Sequence, residues 1–396
     1  MSNGSFRRYV SFLGASVFLA YFSLALTLPI LSRHVITTLG FPGWIGGLAV
    51  GALFVATVFT RPYSGRLADR LGGRHCCLFG LVSYLAASAI CVVSGLAGLP
   101  PAAALAILLA GRLILGLGES LMTVGAITWA ISAFGSARSG LVLVVMGTAI
   151  YGAYAVGGPL GVAIYDRYGF ITVALAAAVP PLLIYPTIRP LADSPVKAGA
   201  VEKPGVLDIL RRIYKYGTIV ALQGIGFAVI GAFISPYFIF RNWLYAGWAL
   251  TCFSVAFVLV RLVFGKVPDR LGGVPVTLVS LCVEAAGLAL LWQAPGVWYA
   301  FLGAFLAGFG CSLVYPSMGI VAISQVPDKF RGTAFGLYAS FLDVSYALTG
   351  PLAGLAADYA GYGSVFFMGF IAVGIAVAMT LSLFPARAGK TPPGSA

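Results

Sequence analysis

The chain has 396 residues, of which 60% are hydrophobic and only 9% charged, and its mean hydropathy is +1.00. Soluble domains carry roughly 25% charged residues, so this composition excludes an ordinary soluble globular protein. The net charge of +13, from 24 Lys and Arg against 11 Asp and Glu, invites a nucleic-acid reading that the placement of those charges removes.

Apolar runs of about 20 residues recur along the whole length, each able to cross a hydrocarbon core of roughly 30 Å as a helix. Twelve such segments are predicted, at 9–32, 43–62, 76–97, 102–132, 140–165, 170–188, 214–240, 245–264, 274–294, 297–323, 332–357 and 363–384. The first run, after "SFRRYV", is too long for a cleaved secretory peptide and is expected to be retained. Most connections are short. Only 189–213, from "RPLADSPVKAGAVEKPG" into "VLDILRR", is long, polar and rich in Pro and charge. The expected organisation is an all-α integral membrane protein with a six-helix unit at 1–188, a linker at 189–213 and a second six-helix unit at 214–396.

With both termini on one side, 19 of the 24 basic residues fall on that side. They include Arg7 and Arg8, then Arg61 at the end of segment 2 with Arg66, Arg70 and Arg74 after it, six in the central linker region, and Lys266 and Arg270 after segment 8. Arg33, Arg167 and Arg241 fall outside, and Arg112 and Arg261 within segments. This asymmetry is the positive-inside signal, so it sets topology, with cytoplasmic termini, and implies no nucleic-acid partner. Cys76, Cys77, Cys91, Cys252, Cys282 and Cys311 lie in or at the ends of segments and read as small apolar packing residues. With only two histidines besides, neither disulfides nor a metal site is expected.

The chain is internally duplicated. "RPYSGRLADRLGG" at 61–73 and "RLVFGKVPDRLGG" at 261–273 share seven of thirteen residues at an offset of 200. "GLGESL" at 116–121 matches "GFGCSL" at 308–313, and "GPL" at 158–160 matches 350–352, both at an offset of 192. Both copies of the charged string fall on the same side of the membrane, so the repeats are parallel.

Two six-helix halves, a basic central loop and "GRLADRLGGR" between segments 2 and 3 resemble the major facilitator superfamily. Gly65, Leu67, Ala68, Asp69, Arg70, Gly72 and Arg74 fit its signature, with Gly73 in place of one basic residue. "GRLILGLGES", "GGPLGV" and "FLDVSYALTGPLAGL" are similar more specifically to the YhhS-type group of bacterial transporters, which implies a bacterial inner membrane. The resemblance implies alternating access between two bundles, a cavity lined by segments 1, 4, 7 and 10, and no cofactor or ATP machinery. No Gly-x-x-x-x-Gly-Lys-Ser/Thr string occurs in the sequence. Gly65 and Gly265 are expected to let helix ends approach closely, Gly72, Gly73, Gly272 and Gly273 to permit tight turns, and Asp69, with Arg70, Arg74, Asp269 and Arg270, to form a latch on the cytoplasmic side. The alternative for this string is a plain anchoring loop.

Glu119, Glu284, Asp343 and Arg112 lie deep in segments, where a charge costs at least roughly 2.5–3.5 kcal/mol and needs a partner, a proton or a wet cavity. Arg112 and Glu119, seven residues apart, share a face of segment 4 at about 10 Å. Arg112 resembles the buried arginine of the superfamily's segment-4 motif, although Leu115 stands where Gln is usual; it is expected to set the protonation of a nearby carboxylate and to bind an anionic group. Glu119 and Asp343 are the proton-coupling candidates, one in each half, while Glu284 reads as structural. The Gly158-Pro159 and Gly350-Pro351 pairs mark kinked, closely packed helices; the first resembles the antiporter motif of drug exporters, with Val162 and Ala163 replacing its closing glycines.

Tyr21, Tyr151, Tyr154, Gln223, Phe227, Tyr315 and Tyr346 are the candidate cavity residues together with Arg112. The mix suits an amphipathic organic molecule. The expectation is a proton-coupled exporter working as a monomer in the lipid bilayer, its partners a small-molecule substrate and protons, and not an enzyme, since no convergent nucleophile and base are found. The alternatives are a proton symporter for a sugar or organic anion and a lipid translocase.

Overall fold

The computed structural model describes residues 3–134, 139–191, 206–327 and 331–384. The described residues form helices α1 (Asn3–Thr37), α2 (Gly43–Leu71), α3 (Gly73–Ser94), α4 (Pro101–Phe134), α5 (Ser139–Ile188), α6 (Val206–Phe240), α7 (Ala246–Phe264), α8 (Val267–Leu271), α9 (Gly273–Trp292), α10 (Val297–Ser324), α11 (Arg331–Ala360) and α12 (Gly363–Leu381). Helices satisfy every backbone group within the segment, which is why so apolar a chain adopts them in lipid.

Ten helices are long and apolar enough to cross a membrane. One of them, the 44-residue stretch Val145–Ile188, breaks at Gly169 (φ 77°, ψ −177°) and so supplies two crossings. α11 lies outside that set of ten but is 30 residues long, about 45 Å at 1.5 Å per residue, and packs along α2 and α6. The described residues are all-helical, and each predicted segment is covered by a helix.

α1 and α6 are the inner helices: 78% of the apolar stretch of each is buried, against 39% for α12. Phe59, Leu183, Leu262, Val279 and Trp298 are exposed, an outer apolar surface suited to lipid.

α1 to α5 pack on one another, as do α6 to α12, and the two sets meet along three seams: α2 with α11, α5 with α7, and α1 with α6. The tightest crossings lie toward the end opposite the charged strings. There a Cβ on Gly47 would strike the backbone of Gly350, one on Gly247 would meet Pro159, and Ser32 Oγ donates to the Ala232 carbonyl. Both Gly-Pro pairs thus sit where helices of the two sets touch. At the same end the Asp358 carboxylate, on α11, accepts from the backbone N–H of Gly43 (2.7 Å) and of Trp44 (3.0 Å), capping α2 from the other set.

The charged strings fold alike. Gly72 (φ 88°) and Gly272 (φ 87°) both turn the chain in the left-handed region before α3 and α9, a conformation open to glycine at little strain. Close packing falls on Gly73 and Gly273, against α4 and α10. The close approach expected at Gly65 and Gly265 is absent: Gly65 faces open space and Gly265 meets only a carbonyl of its own helix.

Candidate functional site

Arg61 was expected at the cytoplasmic end of segment 2, among the loop charges, but α2 runs on to Leu71 and carries Arg61 within the bundle. The unbroken helix turns its guanidinium toward α11 and α4. Nε donates to Asp343 Oδ2 and Nη2 to Asp343 Oδ1 at 3.0 Å, a two-pronged pair, and Nη2 lies 3.8 Å from Glu119 Oε1. Glu119 Oε1 also accepts from Tyr21 Oη and, at 3.2 Å, from Thr123 Oγ1; its Oε2 has no partner. Asp343 is 3% and Glu119 5% exposed. One guanidinium therefore faces two buried carboxylates, and the group is neutral when it holds a single proton.

Sequence reasoning missed Arg61. The signal was present, because the repeat pairs it with Arg261, which falls inside a helix. Arg261, on α7, donates from Nη2 to the Ser312 carbonyl at 2.9 Å and lies 4.8 Å from the Phe257 ring centroid. Its Nη1 occupies the space that a side chain at position 147 of α5 would need. No carboxylate among the described residues lies within ion-pair distance of it.

Between the two arginines the aromatic candidates gather into one cluster joining both sets of helices. Tyr151 stacks on Phe257 at 3.5 Å, Tyr154 meets Phe227 at 5.5 Å and Tyr21 at 6.3 Å, and Phe227 meets Tyr346 at 5.4 Å. Tyr346 in turn touches Phe54 of α2 at 4.9 Å. Gln223 Nε2 donates to Glu284 Oε1 (3.2 Å) and to Cys311 Sγ (2.8 Å). Glu284 is fully buried and its Oε2 has no partner. Tyr315 lies beside the cluster, packed on Tyr338 at 4.9 Å.

Arg112 does not join this group, and it forms no ion pair with Glu119 or another described carboxylate. Although seven residues place both on one side of α4, the Arg112 side chain turns to α1, α3 and the far part of α5. It lines a cavity of about 10 Å³ with Ser23, Thr27, Ser88 and Cys91, room for about one water. Nη1 donates to Thr27 Oγ1 at 3.3 Å, and Nε and Nη2 have no partner. In the charged strings the Asp69 side chain lies outside the described residues. Arg74 Nη1 bonds the carbonyls of Arg189 (2.6 Å) and Leu191 (2.8 Å). Among the described residues Arg70, Asp269 and Arg270 form no ion pair, and no three His, Cys, Asp or Glu side chains are placed to hold a metal.

The family model of the Major Facilitator Superfamily matches residues 13–245 and 216–396. The chain belongs to the major facilitator superfamily. It is 39% identical over 356 residues, 90% of this chain and 91% of the other, to an uncharacterised MFS-type transporter of Salmonella typhimurium. Among solved structures it is similar to the D-xylose-proton symporter (TM-score 0.79, 15% identity, 99% of this chain and 100% of that one). It is likewise similar to a mutant form of the nucleoside transporter NupG (TM-score 0.77, 14% identity, 95% of this chain and 100% of that one). At such identities these structures speak for the superfamily's fold alone. The chain is thus a multi-pass membrane transporter with a mixed-charge layer between its two sets of helices.

Proposed function

We propose that this transporter is a proton-coupled exporter that carries a small amphipathic organic compound across a bacterial inner membrane by alternating access, as a monomer with both termini cytoplasmic. The YhhS-type group is the proposed home of the chain within the superfamily, and 1–188 and 214–396 are the proposed rocking units.

The observation that carries the reading is the Arg61, Asp343 and Glu119 group. Arg61 belongs to the first half and Asp343 to the second, so their pair ties the halves together, and Glu119 stands by as a second base. A proton arriving on Asp343 removes the charge that holds Arg61 and frees α2 from α11. Its departure restores the pair. A ligand-dependent or proton-dependent change of this size is what a conformational equilibrium of a few kcal/mol needs. One charge moving down 100 mV supplies roughly 2.3 kcal/mol, or about a fifty-fold gradient.

With the basic strings cytoplasmic, the tight Gly47, Gly350 and Pro159 crossings close the outer end. The Asp69 string then serves as the latch of the opposite state, which accords with the unpaired Asp269 and the open space at Gly65.

The test is transport in proteoliposomes under an imposed pH gradient, against a compound library. Asp343→Asn and Glu119→Gln mimic the protonated form. Each is expected to abolish pH-driven accumulation while substrate-for-substrate exchange continues. Wild-type accumulation in both variants refutes the coupling assignment, and accumulation that runs with the proton rather than against it replaces export by uptake.

A further inference from the structure

The internal repeat allows a comparison that the coupling group alone does not. At the offset of 200, Arg61 corresponds to Arg261; at the offset of 192, Glu119 corresponds to Cys311 and Asp343 to Tyr151. The structure keeps this correspondence in space. Arg61 reaches from α2 toward α11 and α4, while Arg261 reaches from α7 toward α5 and α10. Where Arg61 meets two carboxylates, Arg261 meets a backbone carbonyl, an aromatic face and the cleft left by Gly147. The guanidinium is permanently charged and has five N–H donors, and one on Nη2 is given to the Ser312 carbonyl.

We infer that Arg261 is the docking point for the negative charge of the transported compound, whose apolar body lies among Tyr151, Phe227 and Phe257. The inference rests on the transport reading above and names its substrate class: a small organic anion with an aromatic or similarly flat apolar body. Three observations carry it. A guanidinium within an apolar bundle needs an anion, and here the chain provides none among the described residues. Arg261 keeps part of its surface exposed, unlike Arg112, which is 1% exposed in a cavity that holds about one water. Finally, Tyr151 and Phe257 come from opposite halves and stack on each other at 3.5 Å beside Arg261, so a flat body docked against that stack touches both rocking units. A bound carboxylate does for the second half what Asp343 does for the first: it gives the arginine a counter-charge that bridges the halves. The planar fork of Arg suits carboxylate, sulfonate and phosphate alike.

The experiment uses the purified full chain in detergent, with thermal unfolding as readout. Probes are 2-naphthoate, its neutral amide and the cationic 2-naphthylmethylamine, with naphthalene sulfonate and naphthyl phosphate as further anions. Saturable stabilisation by an anionic probe is expected, with the amide and amine at least about tenfold weaker. Arg261→Gln is expected to weaken the anion at least about thirtyfold. Arg261→Lys keeps the charge without the fork, covers the case in which the Gln variant does not fold, and is expected to lie between the two. Equal binding of the amide or amine overturns the inference, as does unchanged affinity in Arg261→Gln or failure of all three anions to bind. Failure of the coupling reading looks different: Arg261-dependent anion binding without any pH-driven transport. Conversely, pH-driven transport of a neutral or cationic compound keeps the coupling reading and refutes this one.

Discussion

Arg61 and Arg261 occupy matched places in the two halves, yet one is paired with carboxylates and the other, among the described residues, has none. Duplication supplied the same cation twice, and the acids around it diverged: Asp343 and Glu119 on one side, Tyr151 and Cys311 on the other. What this teaches is a division of labour. The half with the acids holds a charge group that one proton neutralises, whereas the half without them offers a cation and a ring stack to something not part of the chain. Tyr154 and Tyr346, also partners at the offset of 192, stayed alike and meet Phe227 from two sides.

Removing the paired arginine is expected to have the largest effect. Arg61→Gln leaves Asp343 and Glu119 buried with no cation, and losing one partner of a buried pair costs about 3–5 kcal/mol. Protein yield and thermal stability should fall, and pH-driven transport should cease. The double variant Arg61→Gln with Asp343→Asn removes both charges of the pair, so yield should return while coupling does not. Stability of the double variant no better than that of Arg61→Gln would show that the pair is not the reason for the loss.

A second way to break the comparison is to make the halves alike. Tyr151→Asp puts a carboxylate where the repeat places Asp343's counterpart, beside Arg261. The new acid competes with a bound anion, and a drop in affinity of about 2 kcal/mol, roughly thirtyfold, is expected. Tyr151→Phe separates the new charge from the lost hydroxyl. An anion affinity in Tyr151→Asp equal to that of Tyr151→Phe would mean that Arg261 is not what the ligand meets.

The fold was legible because crossing a membrane imposes a crude rule. About 20 apolar residues make a helix, and the predicted segments match the helices to within a few residues through most of the chain. The misreading at Arg61 has the same origin. The predicted segment stops at 62, just past its first charge, but α2 continues to Leu71 as regular helix, and the charge belonged inside. Arg112 erred in the other direction: spacing placed it on the Glu119 side of α4, yet a long side chain selects its neighbours by rotamer, and it turned toward Thr27. The aromatic cluster was legible residue by residue and not as an assembly, since the approach of Tyr151 to Phe257 depends on how the halves meet. The role of Asp358 as a cap for α2, a helix far away in the chain, needs the closed end of the bundle.

That cap supports the mildest prediction, which carries the comparison to the far end of the molecule. At the offset of 192 Asp358 corresponds to Asp166. Asp358 bonds the N–H groups of Gly43 and Trp44 across the halves, whereas Asp166 pairs with Arg33 of its own half at 2.7 Å. Losing a cap costs about 1 kcal/mol. In Asp358→Ala that loss falls only on the conformation in which α2 and α11 meet, so the open-end population should rise about fivefold. Asp166→Ala removes a half-exposed pair worth about 0–1 kcal/mol in both conformations and should leave the population unchanged. Spin labels on the ends of α2 and α11 would report the separation directly. A shift in Asp166→Ala as large as that in Asp358→Ala would show that the two acids act alike, and that the asymmetry between the halves stops at the arginine layer.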